Sequence, residues 1–177
     1  MTEDRLARLA DRMEIRDLLT RYCRAVDRLD AGELSSVFTD DAVIEKSSGV
    51  SRQPDYAAGL IERHSTFPVA AHQITGVLVD FVDDDRAFAQ SWGMAVERHA
   101  EDGVPDAVDL LYRVRYGDSL ERRDGAWRIA HRVLVTDHVM KVQVAVGVAE
   151  LTGTELRMRR SPEDPIEQRR RAVVGRA

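Results

Sequence analysis

The stretch SLERRDGAWRIAHRVLV, Ser119 to Val135, decides the fold. Asp124-Gly125 stands between two runs rich in β-formers. A two-residue Asp-Gly link is the turn that joins antiparallel strands, because both positions accept a positive φ. The run before the turn reaches back to Ala107 and the run after it extends to Met140. Two more runs of the same texture precede them, AAHQITGVLVDFV from Ala70 and RAFAQSWGMAVERH from Arg86. Asp83–Asp85 and AEDGVPD separate these runs, so the second half of the chain reads as an antiparallel meander. On the last strand, alternation puts Trp127, Ile129, His131, Val133 and Val135 on one face. Arg128, Ala130, Arg132, Leu134 and Thr136 fall on the other. Neither face is simply polar. The expectation is one face under the chain's own helices and the other against a second subunit, hence a homo-oligomer.

Upstream the period changes from two to 3.6. Leu6, Leu9, Met13, Ile15, Leu18, Leu19, Tyr22, Val26 and Leu29 mark a long first helix, with Gly32 as its expected stop. Glu33–Phe38 reads as a short second helix, and TDDAVIE leads from it into a strand. Gln53-Pro54-Asp55 opens a third helix running to about His64, with proline tolerated in the first turn. Helices followed by a meander make an α+β fold. Residues 1–140 form one domain. Residues 141–177 form an extension whose first part, Lys141–Leu151, is apolar enough to dock; beyond Thr152 it reads as a loosely held charged tail.

The chain has 177 residues, enough for one domain, and a formal net charge of −5. That charge argues against a nucleic-acid partner or an anionic membrane surface. Cys23 is the sole cysteine, which excludes an intrachain disulfide and a cysteine metal cluster. No apolar run approaches the ~20 residues that span a bilayer, and the charged N-terminus lacks a signal-peptide core. A cytoplasmic protein is expected. No Gly-rich phosphate loop, Gly-x-Ser-x-Gly elbow, EF-hand frame or helical His pair is present, so the expectation is no metal and no cofactor.

Asp27 flanks the apolar stripe of the first helix. It is either a helix-flank acid bonded to solvent or arginine, or an acid that orients a histidine. His72 enters a strand among Ala70, Ala71 and Ile74 and is the best candidate base. Spacing alone does not bring it to Asp27. His64 reads as a helix-end residue, His99 and His138 as edge residues, and His131, beside Trp127 and Ile129, as a core histidine. Tyr22 is a core tyrosine whose hydroxyl can border a cavity. Arg132 is either a surface arginine or a buried cation able to stabilise a developing negative charge. Phe38, Phe67, Trp92, Leu110, Tyr112 and His131 are the candidate substrate-binding residues.

IRDLLTRYCRAVDRLDAGELSSVFTDDAVIE, AAHQITGVLVDF and YGDSLERRDGAWRIAHRVLV together resemble the SnoaL-like branch of the NTF2-like superfamily, over roughly Glu3 to Val139. The resemblance implies a cone: a curved sheet around an apolar pocket capped by the N-terminal helices. Within the superfamily the pattern is similar to the scytalone dehydratase, lindane dehydrochlorinase and bile acid 7α-dehydratase group, cofactor-free lyases that are typically trimers. Their dyad pairs an Asp late in the first helix with a His early in the first long strand, which maps to Asp27 and His72. The bile acid enzyme's tyrosine and pocket arginine map to Tyr22 and Arg132. The dehydrochlorinase has a lysine at the place of Tyr22, which favours loss of a hydroxyl here over loss of a halide.

The favoured function is a cofactor-independent β-elimination on a hydrophobic cyclic molecule, of steroid, terpenoid or polyketide type. An isomerase or polyketide cyclase would use the same dyad without losing a group. A ligand-binding protein, or an assembly subunit like the small chain of ring-hydroxylating dioxygenases, would use the pocket without chemistry.

Overall fold

The computed structural model describes residues 3–99, 107–144 and 158–175. The apolar spacing of the first helix is realised as α1, Glu3–Arg28, with Ile15, Leu18, Leu19, Tyr22, Cys23, Ala25 and Val26 buried along one stripe. Gly32 is not its stop. Leu29 takes the left-handed conformation at φ 56°. The Leu29 and Asp30 amides then close back on the carbonyls of Val26 and Ala25, the paired bonds that finish a helix. Asp30 next caps α2, Ala31–Ser36, by accepting from the Glu33 amide, so Gly32 lies inside that second helix. Strands β1 (Phe38–Lys46) and β2 (Gly49–Arg52) form a hairpin, and α3 runs over Asp55–Ser65.

The meander follows as β3 (Ala70–Phe81), β4 (Arg86–His99), β5 (Ala107–Arg123) and β6 (Ala126–Val144). Both Asp124 and Gly125 have positive φ, and Arg123 pairs directly with Ala126 across the two-residue turn. The sheet order is β2-β1-β6-β5-β4-β3. Neighbours are antiparallel except β1 and β6, which run parallel. The sheet is curved and open, and α1 is laid into its concave side. The N-terminal half of α1 is tied down by Arg12 Nη1, which donates to Val79 O at 2.7 Å, and by Asp11, which accepts from Trp127 Nε1.

Simple alternation fails on β6, for a visible reason. Ser119 pairs with His131, yet the next residue of β5, Leu120, pairs with Ile129. Ala130 is therefore an extra residue, and a bulge of this kind reverses which residues point inward. Trp127 and Ile129 face the core before the bulge; Arg132 faces it afterwards. His131, expected in the core, is turned to the outer face, where Nε2 lies 2.9 Å from Glu45 Oε1. A second irregularity at Thr75 of β3 acts likewise, placing His72 and Ile74 inward before it and Val77 and Val79 after it.

The bulge puts a guanidinium in the interior. Arg132 and Asp118 are paired residues on adjacent strands, both 0 % exposed, joined by two hydrogen bonds of 2.7 and 2.8 Å. The Arg132 carbon between its nitrogens also lies 4.2 Å from the Tyr22 ring centre and 4.4 Å from that of Tyr116. Burial disfavours the cation, but Asp118 outweighs burial and holds the Arg132 pKa well above its ordinary value. Phe38, Tyr22, Tyr56 and Tyr116 pack edge to face around this pair.

The expected boundary at residue 140 falls within β6, which runs to Val144; the rest of the apolar Lys141–Leu151 stretch lies outside the described residues. The stretch expected to be a loosely held tail is docked over 158–175. Asp164 is almost completely buried, lies 3.5 Å from Arg28 Nη2, and caps α4, Pro165–Val174, by accepting from the Ile166 and Glu167 amides. Among the described residues, no helix is long and apolar enough to cross a membrane.

Removing one member of a fully buried ion pair strands the other. Asp118→Ala should therefore lower unfolding free energy by about 3–5 kcal/mol in denaturant titration, while Asp118→Leu with Arg132→Met costs much less. A loss below about 1 kcal/mol for Asp118→Ala, on the scale of an exposed pair, would show that the pair does not organise the core.

Candidate active site

Between α1, α3 and the concave face of the sheet lies a pocket of about 230 Å³. Tyr22, Tyr56, Leu60, Tyr116 and Leu134 give it an apolar body, and Arg63, His64, His72, Glu97 and Tyr112 give it a polar end. The apolar body comes from the stripe of α1, the first turns of α3 and the inward residues of β5 and β6. The polar end collects the last turn of α3, the ends of β3 and β4, and Tyr112 of β5.

Asp27 and His72 meet there. His72 Nδ1 stands 2.7 Å from Asp27 Oδ1, and the His72 backbone N–H donates to Asp27 Oδ2 at 3.0 Å. One carboxylate thus holds both the ring and the strand that carries it. With Nδ1 donating to the carboxylate, Nε2 keeps its lone pair. Asp27 does not line the pocket itself; it stands behind the His72 ring. The two side chains are only 15 and 9 % exposed, so the pair is well shielded from water.

The other candidates are distributed as follows. Tyr22 and Tyr112 line the pocket. Tyr22 shares a hydrogen bond with Tyr56, the two hydroxyl oxygens being 3.1 Å apart. Burial, then Tyr56 and Tyr116, raise the Tyr22 hydroxyl well above its ordinary pKa against the opposing pull of Arg132, so it stays protonated. Arg132 lies beneath Tyr22 and Tyr116 and does not line the pocket. Phe38 packs edge-on against Tyr22 and Tyr56 beneath the lining, and Phe67 packs edge-on against the His64 ring, 5.4 Å between centres; contrary to expectation, neither lines the pocket. Leu110 pairs with Glu97 on the inner face but lies outside the lining. Trp92 and His131 point away from the pocket, on the convex side of the sheet, opposite Arg115 and Ser119.

Sequence reasoning missed the residues opposite His72. His64 stands in the last turn of α3, as expected, but it is 1 % exposed and its ring centre lies 5.1 Å from that of His72. Burial first, then His72, Arg63 and Arg160, push its pKa down to about 3. Glu97 is buried beside it and accepts from Arg63 Nη2 at 2.6 Å. The only signal was a charge at an inward position of β4, Glu97, in a strand whose other inward residues are small or apolar.

Arg160, from the docked C-terminal segment, closes the site from behind. Its guanidinium donates to the carbonyls of Val26 (3.1 Å), Asp27 (3.2 Å), Phe67 (3.0 Å) and His64. These belong to the C-terminal ends of α1 and α3 and to the residues just beyond, where unsatisfied carbonyls and the helix dipole both favour a cation. The same side chain thereby fixes the helix carrying Asp27 to the helix carrying His64.

A SnoaL-like domain model matches residues 7–133. An uncharacterized protein of Mycobacterium tuberculosis is 31 % identical over 132 residues, covering 72 % of this chain and 86 % of its own. A gamma-hexachlorocyclohexane dehydrochlorinase of Sphingobium indicum is 30 % identical over 137 residues, covering 75 and 85 %. The solved structure of a scytalone dehydratase-like protein of Novosphingobium aromaticivorans shares the fold. It superposes with a TM-score of 0.68 at 21 % identity, covering 78 % of this chain and 92 % of its own.

Two outcomes follow. Arg160→Ala removes charged hydrogen bonds at two helix ends and should lower stability by about 1.5–3 kcal/mol, read as a lower midpoint in denaturant; an unchanged midpoint would show the segment to be merely adjacent. Secondly, a pKa depressed from 6.5 to about 3 means that unfolded His64 binds a proton before the folded one does. Its contribution to stability is intact above about pH 6.5 and falls as pH drops from there to about 3. In EDTA-treated protein, Tm should decline with acid more steeply in the wild type than in His64→Gln; parallel curves would refute the assignment.

Proposed function

The chain belongs to the SnoaL-like family, in the NTF2-like superfamily, and on that footing we propose that it is a lyase performing β-elimination on a small cyclic molecule without a cofactor. The observation that carries this reading is the Asp27–His72 pair, with its 2.7 Å contact, which leaves the Nε2 lone pair of His72 at the polar end of the pocket. Its relatives include a dehydrochlorinase, an enzyme of the same broad type.

In the proposed reaction Nε2 takes a proton from a carbon beside a carbonyl or another activating group. The electrons of that C–H bond form the new double bond, and the bond to the β-substituent breaks. Asp27 keeps the imidazole in one tautomer and balances the imidazolium. Tyr22 and Tyr56 share one hydrogen bond, and whichever hydroxyl accepts it keeps its own O–H for the departing hydroxyl or the enolate oxygen. Arg132 acts from beneath their rings and not by touching substrate. General base catalysis contributes about 10²–10⁴-fold, and fixed hydrogen-bond donors supply a further share.

The pocket volume of about 230 Å³ narrows the substrate. A cavity of about 150 Å³ holds benzene, so one or two rings fit and a full steroid nucleus would need the mouth to widen. The reading includes a homotrimer, assembled on the convex face of the sheet. There Phe88, Met94, Val133, Val135, Met140 and Val142 are each between 37 and 44 % exposed. The protein reads as cytoplasmic, acting on a diffusible substrate with no nucleic-acid or membrane partner.

Turnover should be screened by product mass over cyclic β-hydroxy ketones and halocyclohexanes. His72→Ala and Asp27→Asn should each reduce it by at least about 10² while circular dichroism stays native, and Tyr22→Phe by about 10². Products lighter by water or acid support elimination; products of unchanged mass assign the dyad to an isomerase. Full turnover by folded His72→Ala would sink both. Light scattering should find three chain masses, and a monomer would remove the trimer.

A further inference from the structure

Three side chains that no sequence pattern connects converge at the polar end of the pocket. His64 comes from α3, His72 from β3 and Glu97 from β4. One nitrogen of each imidazole and one carboxylate oxygen all lie within 4.8 Å of one another. Two imidazoles and a carboxylate, with open space beside them, are the donor set of catalytic-type zinc sites. His72 is also prepared as such a ligand is, since Asp27 accepts from its other nitrogen, fixing tautomer and ring orientation.

Folding alone does not account for His64. It is 1 % exposed, and among the described residues its Nδ1 has no hydrogen-bond partner. Its Nε2 has only a 3.5 Å contact from Arg63 Nη1 and lies 3.7 Å from Glu97 Oε1, both weak by the usual geometric limits. A buried imidazole is normally satisfied. Glu97 is 5 % exposed along its side chain, and its strongest partner is Arg63, whose own side chain is 52 % exposed and has solvent to swing into. A doubly charged ion can therefore take the place of a singly charged one without leaving a group stranded.

We propose that His64, His72 and Glu97 bind a divalent transition metal ion, Zn²⁺ foremost, with Arg63 displaced from Glu97 and Asp27 as the partner behind His72. Tetrahedral bonds of about 2.1 Å set donors about 3.4 Å apart, so the three groups close by side-chain rotation. The ion takes the Nε2 lone pair, which is the same pair that accepts the proton in the lyase reading. Metal occupancy and proton abstraction exclude each other, and the metal is an inhibitor. That last consequence rests on the proposed function; the site does not.

The test uses the full chain stripped with EDTA, titrated with ZnCl₂ by calorimetry and with Co²⁺ by visible absorption. One equivalent should bind, with ligand-field bands of a four- or five-coordinate Co²⁺ ion. Glu97→Gln and His64→Ala should each weaken Zn²⁺ by at least tenfold, and Asp27→Asn by about 10–100-fold. Arg63→Ala should bind more tightly, since it removes the competing cation, and it leaves the three ligands and the buried core in place. His138→Ala, on the exposed part of β6, should match the wild type. No saturable binding, or affinity indifferent to Glu97→Gln and Arg63→Ala, would overturn the site. If the metal binds as described but turnover survives His72→Ala, the site stands and the lyase reading falls. If turnover is lost in His72→Ala and Zn²⁺ neither binds nor inhibits, the reverse holds.

Discussion

A guanidinium with no accessible surface is the constraint around which the interior is arranged. Arg132 cannot be buried without a counter-charge, and Asp118, directly opposite on β5, supplies it through two hydrogen bonds. The remaining face of the cation is covered by the rings of Tyr22 and Tyr116, an arrangement that a desolvated cation favours. Those rings are also the floor of the pocket. The charge that must be neutralised therefore sets where the aromatic residues lie, and they set where a ligand can go. All of this depends on one extra residue, Ala130: without the bulge, Arg132 would point to the convex face and His131 to the core.

The polar end is held by a different economy of contacts. Asp27 grips His72 by ring and by backbone, so the link between α1 and β3 is also the orientation of the imidazole. Arg160 then joins the ends of α1 and α3 through four carbonyls. Each of these contacts serves the fold and the site at once. Arg160 lies outside the stretch matched by the SnoaL-like model, residues 7–133, so the rear support of this pocket comes from beyond the residues that show the family.

The two proposals meet on a single electron pair. The imidazole of His72 has one nitrogen bound to Asp27 and, among the described residues, no hydrogen-bond partner on the other, and an imidazole lone pair in a shielded pocket can take a proton or a metal ion. What decides between them is the neighbourhood. Arg63 beside Glu97 supplies one positive charge where a metal would bring two, so under the two proposals the persistence of that ion pair separates the proton-accepting state from the metal-bound one.

The fold was legible in the sequence because its signals are local. Asp124-Gly125 states a hairpin through backbone φ alone, four alternating runs state a meander, and the 3.6 period before Pro54 states helices. The family pattern points to Asp27 late in the first helix and His72 early in the first long strand, and these two side chains lie in contact; Tyr22, from the same pattern, and Tyr112, from the apolar runs, both line the pocket. Local signals failed where one inserted residue changes parity. Ala130 has no chemical mark of a bulge, so His131 was read inward and Arg132 left open, and the inward side of β6 emerged only from its pairing with β5. Gly32 misled in the same way, because Leu29 took the left-handed turn once two backbone hydrogen bonds compensated it. The meeting of His64, Glu97 and Arg160 was beyond the sequence, in which Glu97 left only a charge at an inward position of β4. They lie on α3, β4 and the C-terminal segment, and only the tertiary structure brings them together, since curvature of the sheet and docking of a distant arginine are many-body results that no spacing along the chain encodes.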